Sequence, residues 1–258
     1  TAPITRFKDP LEQSTTSMSI SIIIPTRNGS STLRELLAAL TIQSLQADEI
    51  LVIDSDSDDN TVEIATGYGA VVHSIELDSF DHGGTRSKAA RMAQGDVLVF
   101  LTQDVLPKSP TMLEKLTAPI RTSNDVSMSY GRQLPSFQAT EIAAHLRDFN
   151  YPSESRVKTY QDRQQLGFET VFVSNSCAAY RRSSLAEIGF FETDLIVGED
   201  SCAAGRLLEN GGKIAYAAEA AVYHSHNYSW SEEFCRYFDI GVFHDSQKWL
   251  LDSFGGAG

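Results

Sequence analysis

The sequence predicts an α/β fold with a mostly parallel central sheet flanked by helices, and two observations support this prediction. Continuous β-branched apolar runs, such as ISIIIP at 20–25, are typical of strands that are buried on both faces. Segments with leucines at helical spacing lie between these runs. Strands that alternate with helices are joined by right-handed crossovers, which make neighbouring strands parallel.

The regular part of this pattern lies in the first 125 residues. The predicted strands are 20–25, 49–54, 70–75 and 96–101. The predicted helices are 30–45, 59–69, 83–95 and 109–120. We expect Ser109 and Pro110 to open the last of these helices, because proline is favoured at the first helical position.

The alternation becomes irregular after about residue 125, and the second half of the chain predicts a mixed arrangement. The predicted strands there are 125–133, 170–182 and 213–226, and the predicted helices lie near 138–148, 201–210 and 231–253. No linker or repeat interrupts the sequence, so we expect one domain over 20–258. We divide it into a nucleotide-binding half (20–125), an acceptor-binding half (126–230) and a C-terminal helix (231–258).

Four apolar side chains fall on one face of the predicted C-terminal helix. They are Phe234, Tyr237, Phe238 and Val242. Apolar residues at this spacing usually form the core-facing stripe of a helix, and we expect them to pack into the core.

Composition and charge narrow the class of protein. The formal net charge of -13 argues against a nucleic-acid partner, because binding phosphates requires a basic surface. The three cysteines are odd in number and lack metal-ligand spacing, which favours a reduced, cytoplasmic setting. No stretch approaches the roughly 20 apolar residues that span a bilayer. Residues 1–19 lack the apolar region of a signal peptide, and we expect a tail or lead-in.

Polar residues follow three of the predicted parallel strands at the point where each strand ends. These are Pro25, Thr26, Arg27 and Asn28 after the first strand, Asp54 and Asp56 after the second, and Thr102, Gln103 and Asp104 after the fourth. The carboxyl ends of parallel strands meet at one edge of a sheet, and ligands bind beyond that edge. The sequence therefore predicts one ligand site that these residues line.

Five segments occur in an order that resembles the inverting glycosyltransferases of family two. They are SIIIPTRNGSSTLRELLAAL, ILVIDSDSDDNT, GGTRSKAARMAQGDVLVFLTQD, GED and VYHSHNYS. The resemblance extends over about residues 20–230 and implies the GT-A fold. Within the family, TQDVLP, YGRQ and FDHGGTR are most similar to bacterial rhamnosyltransferases, which use dTDP-L-rhamnose.

The resemblance implies how a sugar nucleotide would be bound. Asp54 corresponds to the acid that accepts a hydrogen bond from N3–H of uracil or thymine, and a capping or turn aspartate is the alternative. The loop after the first strand would line the base and ribose. Arg86 matches an arginine expected near the base or the diphosphate, and a surface pair with Asp81 is its alternative. The family usually has glycine where Asp56 stands, so we expect a different local turn.

The resemblance also implies a divalent cation, Mg²⁺ or Mn²⁺, which would neutralise the diphosphate of the donor. Asp104 would bind the cation, and His224 would complete the metal or diphosphate site. The family has a second acid where Thr102 stands, so we expect weak metal affinity, with the diphosphate and water supplying most ligands. A turn aspartate at 104 and a structural histidine at 224 stay open.

The resemblance assigns the general base to Asp200. The segment 197–212 predicts a loop followed by a helix, and an aspartate near a helix N-terminus is also a common N-cap. Inversion requires a base on the face opposite the leaving group, and an acid far along the chain from Asp104 fits this role. Four further residues are predicted on the acceptor side. They are Asn175, Glu199, His226 and Trp230.

The sequence thus predicts an inverting glycosyltransferase that transfers a sugar, with dTDP-L-rhamnose as the favoured donor, by metal-assisted direct displacement. The expected acceptor is a bacterial cell-surface glycan or its lipid-linked precursor. A UDP-sugar donor stays open, as do a sugar-phosphate nucleotidyltransferase and a non-catalytic nucleotide-binding protein. Similar enzymes often continue with helices that approach a membrane, so we expect a C-terminally truncated, cytoplasmic protein with peripheral contact to the inner face of the plasma membrane.

Overall fold

Nine strands form one continuous sheet in the computed structural model, which describes residues 18–255. They are β1 (Ile20–Thr26), β2 (Glu49–Ser55), β3 (Val71–Ile75), β4 (Val97–Leu101), β5 (Leu106–Pro107), β6 (Val126–Leu134), β7 (Arg156–Lys158), β8 (Cys177–Arg181) and β9 (Lys213–Tyr223). The order across the sheet is β3-β2-β1-β4-β8-β6-β9-β5, and β7 pairs with the start of β9. Strands β5, β7 and β8 run against the others, so the sheet is mostly parallel, as predicted.

Helices cover both faces of this sheet. They are α1 (Ser30–Thr41), α2 (Thr61–Gly67), α3 (His82–Met92), α4 (Met112–Thr122), α5 (Glu141–Asn150), α6 (Arg163–Leu166), α7 (Arg182–Glu187), α8 (Glu199–Glu209), α9 (Trp230–Ser246) and α10 (Lys248–Phe254). The core on one face contains residues of α1, α2 and α4, and the core on the other contains residues of α3, α8 and α10. Each of these helices is too short or too polar to cross a bilayer.

Strand β1 shows why the apolar runs are continuous. Ile22 and Ile24 lie in the core under α1, whereas Ile23 lies in the core on the opposite face. All three side chains are buried, and burying each one contributes roughly 1.5–3 kcal/mol. Thr26 on β1 pairs with Asp54 on β2, so the two strands end at the same edge. That alignment places the polar residues after each strand close together, as predicted.

The predicted start of the fourth helix was wrong. Helix α4 begins at Met112 with Thr111 as its N-cap, so Ser109 and Pro110 lie outside it. The carbonyl oxygen of Pro110 accepts a hydrogen bond from Ser44 N at 2.7 Å. The chain is therefore tied to the loop after α1 before the helix can start.

Two strands predicted in the second half were too long. Of the strand predicted over 170–182, only Cys177–Arg181 (β8) is a strand. The chain just before it is not, because Asn175 hydrogen-bonds to acidic side chains of α8 rather than to a neighbouring strand. The strand predicted over 213–226 ends at Tyr223. Its partner β6 ends at Leu134, so the chain beyond this point has no strand with which to pair.

The prediction for the C-terminal helix was wrong in two respects. The segment is two helices, α9 and α10, with Gln247 between them. The face expected in the core is also exposed. Its members are Phe234 at 72%, Tyr237 at 58%, Phe238 at 64% and Val242 at 42% relative exposure. Helix α9 instead reaches the core through Phe243, so these four side chains form an exposed apolar stripe.

Most of the predicted lead-in (1–19) lies outside the described residues, as do residues 256–258.

Candidate active site

A groove and a cavity adjoin at the carboxyl ends of the parallel strands. The strand-end groove has a volume of about 330 Å³. It is lined by Pro25, Thr26, Arg27, Ser55, Leu77, Phe80, His82, Arg86, Thr102 and Gln103. The central cavity has a volume of about 410 Å³ and reaches towards α5, α8 and α9. His82, Arg86 and Thr102 line both, so a ligand could extend from one into the other.

Gln103 holds the loop after β1 in place. Its Oε1 accepts hydrogen bonds from Arg27 N at 2.9 Å and from the hydroxyl of Thr26, while its Nε2 donates to Arg27 O at 3.1 Å. The Gln103 side chain thereby links the loop after β4 to the loop after β1 by hydrogen bonds. Gln103 also lines the groove, where sequence predicted it. The hydroxyl of Thr102 is buried and has no hydrogen-bond partner among the described residues.

The loop after β2 is built around the carboxylate of Asp54. This carboxylate accepts hydrogen bonds from the backbone N and the hydroxyl of Ser57. The Ser57 hydroxyl in turn accepts from Asn28 N at 2.9 Å, and Asn28 Oδ1 accepts from Asp58 N at 2.8 Å. Asp54 is buried behind the lining residues of the groove, so its contact with a nucleobase stays a prediction.

The turn at Asp56 follows the conformation that glycine favours. Its φ of 57° lies in the left-handed region, which aspartate tolerates better than most residues. Whether this turn differs from that of other family members stays a prediction. Asn28, at φ 45°, shares this conformation.

Asp104, His224 and His226 form a cluster, which we call the cation cluster. Their ligand atoms all lie within 4.8 Å of one another. Asp104 Oδ2 is 3.4 Å from His224 Nε2 and 3.7 Å from His226 Nε2. Strand pairing explains the contact, since Leu106 on β5 is the antiparallel partner of Tyr223 on β9. Both histidines follow β9 in a loop, where the sequence predicted a strand.

Gln133 sets the orientation of the His224 ring. Its Oε1 lies 2.9 Å from His224 Nδ1, and its Nε2 donates to Ser174 Oγ at 2.9 Å. An amide oxygen only accepts, so Nδ1 of His224 carries a proton, and Nε2 faces Asp104. The sequence analysis assigned no role to Gln133, although it is the last residue of the YGRQ segment.

The charges in the cation cluster suit a divalent cation. Burial raises the pKa of Asp104, but the hydrogen bond and charge of His224 outweigh it and hold this pKa well below its usual range. Burial and the charge of His224 lower the pKa of His226. One carboxylate oxygen and two imidazole nitrogens thus face one another, and these are ligand types that divalent transition metals accept. A metal-binding histidine commonly donates its other N–H to an outer partner, as His224 does to Gln133.

Asp200 lies in the first turn of α8 and lines the central cavity. The N-cap is Gly198, so Asp200 is not the capping residue. Its carboxylate accepts from Ser201 N at 2.8 Å and from Asn175 N at 3.2 Å. Burial and the adjacent charge of Glu199 raise the pKa of Asp200 to about 7. A carboxylate with this pKa is suited to accept a proton near neutral pH.

Arg86 is buried beneath the junction of the groove and the cavity. Its Nη1 lies 3.2 Å from Glu199 Oε1 and donates to His82 O at 3.1 Å. The alternative pair with Asp81 is therefore wrong, because Asp81 caps α3 by accepting from Gly84 N.

Glu199 and Asn175 lie beside Asp200 and contact each other. Glu199 Oε1 accepts from Asn175 Nδ2 at 3.1 Å and forms an ion pair with Arg86. Asn175 Oδ1 accepts from Tyr180 OH at 2.7 Å. Glu199 is thus engaged by a cation and an amide, whereas Asp200 receives only backbone N–H groups. This contrast favours Asp200 as the base.

Of the other two predicted acceptor-side residues, one lines the central cavity and the other does not. His226 lines the central cavity and belongs to the cation cluster. Trp230 is 83% exposed at the start of α9 and does not line the cavity.

Comparison with known proteins identifies the class. The model of the family described as "Glycosyl transferase family 2" matches residues 21–189. The chain therefore belongs to glycosyltransferase family 2, and it is a glycosyltransferase that acts on a nucleotide-sugar donor and a glycan acceptor. This confirms the predicted family and sets aside the nucleotidyltransferase and non-catalytic alternatives.

Individual relatives agree with this assignment. The chain is 44% identical over 242 residues to the O-antigen chain rhamnosyltransferase WbaN of Salmonella anatum, covering 93% of this chain and 76% of the relative. The structure of S. aureus TarS 1-349 in complex with UDP-GlcNAc superposes with a TM-score of 0.63 at 20% identity. That match covers 82% of this chain and 60% of the TarS chain.

A second solved structure supports the same fold. The mannosyltransferase PcManGT from Pyrobaculum calidifontis, in complex with GDP-Man and Mn²⁺, superposes with a TM-score of 0.61 at 20% identity. The match covers 84% of this chain and 61% of that protein. The fold class is GT-A, as predicted.

Proposed function

We propose that the protein transfers L-rhamnose from dTDP-L-rhamnose, with inversion, onto a bacterial cell-surface glycan or its lipid-linked precursor. The relative named O-antigen chain rhamnosyltransferase supports this donor, since it is similar to this chain over most of both sequences. The observation that carries the mechanism is that Asp200 and the histidines of the cation cluster line the same cavity. A base and a site for the leaving diphosphate are thereby available to one substrate pair.

The proposed reaction is a single displacement. The acceptor oxygen attacks the anomeric carbon and its proton passes to Asp200. The bond between that carbon and the diphosphate oxygen breaks, and the nucleoside diphosphate leaves with the electron pair. The raised pKa of Asp200 supports this role, because the carboxylate is then basic enough to take the proton near neutral pH.

The donor would extend across both compartments. We propose that the base and ribose occupy the strand-end groove along Pro25, Thr26 and Arg27, with Asp54 recognising the base. Residues 20–125 would thus bind the nucleotide and residues 126–230 the acceptor. Arg86 lines both compartments and would lie near the diphosphate.

A divalent cation fits the cation cluster. Asp104, His224 and His226 would hold it, and the ion would neutralise charge on the diphosphate. Nitrogen ligands favour Mn²⁺ over Mg²⁺, which prefers an all-oxygen shell. We therefore propose Mn²⁺ as the better activator. The exposed apolar stripe of α9 supports a further proposal, that the protein acts on the inner face of the plasma membrane.

The donor is tested by binding and product analysis. We would measure thermal shifts with dTDP, UDP, GDP and CDP, each with and without Mn²⁺ or Mg²⁺, because a ligand of the folded state raises the melting temperature by mass action. We expect dTDP with Mn²⁺ to give the largest shift. Incubation with dTDP-L-rhamnose and a saccharide acceptor should release dTDP and form an inverted glycoside, seen by NMR. Turnover with a UDP-sugar alone would overturn the proposed donor.

A further inference from the structure

Arg147 lies on the wall of the central cavity without an acidic partner. Its Nε donates to the backbone oxygen of His224 at 2.8 Å, and its guanidinium lies 6.0 Å from the centre of the Tyr151 ring. Within residues 18–255 no carboxylate lies within ion-pair distance of Arg147, and its two terminal nitrogens make no hydrogen bond to the protein.

The other arginines that line this cavity are paired. Arg86 lies 3.2 Å from Glu199, and Arg236 lies 3.4 Å from Glu233. Burial lowers the pKa of Arg147, which reflects the loss of water around its charge. A partly buried guanidinium without a counter-ion is unfavourable. The chain has 34 acidic residues, and none of the described ones lies within ion-pair distance of Arg147, with Asp104 acting on it only from longer range. An anionic ligand is therefore a natural partner.

The position of Arg147 indicates which anion this is. Its Nε is bonded to the backbone of His224, whose side chain belongs to the cation cluster. Arg147 and both histidines of the cluster also line the central cavity, so the guanidinium and these histidines border the same volume. The fork of an arginine matches two oxygens of a phosphate group. The diphosphate is the anionic part of a sugar nucleotide, and it is the anion that we place beside the cation cluster.

We propose that Arg147 binds the diphosphate of the donor and neutralises its charge as it leaves, a role that rests on the proposed function. As the bond to the anomeric carbon breaks, the diphosphate oxygen gains the electron pair and its negative charge increases. Arg147 donates two N–H groups to that charge and transfers no proton. Asp200 takes the proton of the acceptor.

Calorimetry with dTDP, dTMP and thymidine tests this role. Arg147→Met should weaken dTDP binding by about 10-fold or more, as expected for a lost charged hydrogen bond, and should leave thymidine binding unchanged. The turnover number should fall by about 10²-fold, since donors aimed at developing charge act mainly in the transition state. Arg147→Lys should recover part of both. Arg156→Met is the matched control, because Arg156 pairs with Glu169 outside the cavity.

Circular dichroism and melting temperature show whether each variant is folded, and Arg147→Lys keeps the test valid if the methionine variant is not. Equal weakening of dTDP and thymidine would overturn the role of Arg147, as would a change confined to the KM of the acceptor. If the wild type binds UDP instead of dTDP, the proposed donor fails. The comparison of UDP with uridine then decides the role of Arg147 on its own.

Discussion

The strand-end groove and the central cavity are built from different interactions. Hydrogen bonds between neighbouring loops position the groove, where the neutral amide of Gln103 and hydroxyl of Ser57 form the links and the Asp54 carboxylate holds Ser57. Charged groups shape the cavity, where Arg86 and Glu199 are buried beside Asp200. Neutral hydrogen bonds position a loop at small cost, whereas buried charges are costly and are kept where the chemistry needs them. The comparison predicts large losses of turnover from the cavity and moderate losses of binding from the groove.

The largest effect is expected for Asp200→Asn, which keeps the shape of the side chain but cannot accept a proton. Turnover should fall by about 10²–10⁴-fold, the usual contribution of a positioned general base, while donor binding persists. Steady-state kinetics at saturating donor and acceptor, with calorimetry for dTDP, measures both. Transfer within a few-fold of wild type would remove Asp200 from the mechanism.

The raised pKa of Asp200 also predicts how stability changes with pH. Between about pH 4 and 7 the folded protein retains this proton, whereas the unfolded chain has released it. The contribution of Asp200 to stability therefore decreases as pH rises through this window. We expect urea denaturation to show a flatter decline from pH 5 to 8 in Asp200→Asn. Wild-type turnover should rise over the same range, because Asp200 must be ionised to act.

Asp54→Ala tests whether the groove recognises the nucleobase through Asp54. We expect dTDP and UDP binding to weaken by about 1.5–3 kcal/mol, as for a lost hydrogen bond to a charged group. We expect GDP to bind poorly to the wild type and its binding to change little in the variant. Equal losses for all nucleotides would mean that Asp54 acts only through Ser57, by holding the loop.

Gln133→Leu sharpens the comparison from inside the cavity, because it removes a neutral bond that orients a charged cluster. Mn²⁺ affinity should fall by about 10–100-fold, as is typical when an outer partner of a metal ligand is lost. Mn²⁺ titration followed by electron paramagnetic resonance measures this change. Nitrogen NMR of the histidines should show that His224 loses its single tautomer. An unchanged tautomer with unchanged affinity would contradict the assignment.

Gln103→Ala should give the smallest effect. It removes neutral hydrogen bonds to the loop after β1, each worth about 1 kcal/mol, so donor KM should rise several-fold while turnover stays near wild type. Kinetics with varied donor gives both parameters. A fall in turnover as large as that of Asp200→Asn would mean that the groove takes part in the chemical step.

Sequence alone determined the features that depend on local pattern and on motif order. The apolar runs predicted β1 to β4, and polar residues at their ends predicted where the site lies, because strand ends follow directly from the order of residues. The ordered motifs predicted the family and the GT-A fold. The same motifs pointed to Asp104 and His224, which lie in contact, and to Asp200, which lines the same cavity as His224.

Only the tertiary structure decided which side chains meet and which charges are balanced. The contact between Asp104 and the two histidines depends on the pairing of β5 with β9, and β5 is too short to be recognised in the sequence. Arg86 forms its ion pair with Glu199 rather than with Asp81, because helices α3 and α8 pack on the same face of the sheet. The apolar stripe of α9 has the spacing of a core-facing helix, yet it is exposed. Periodicity shows that a face exists, and packing between distant segments decides what covers it.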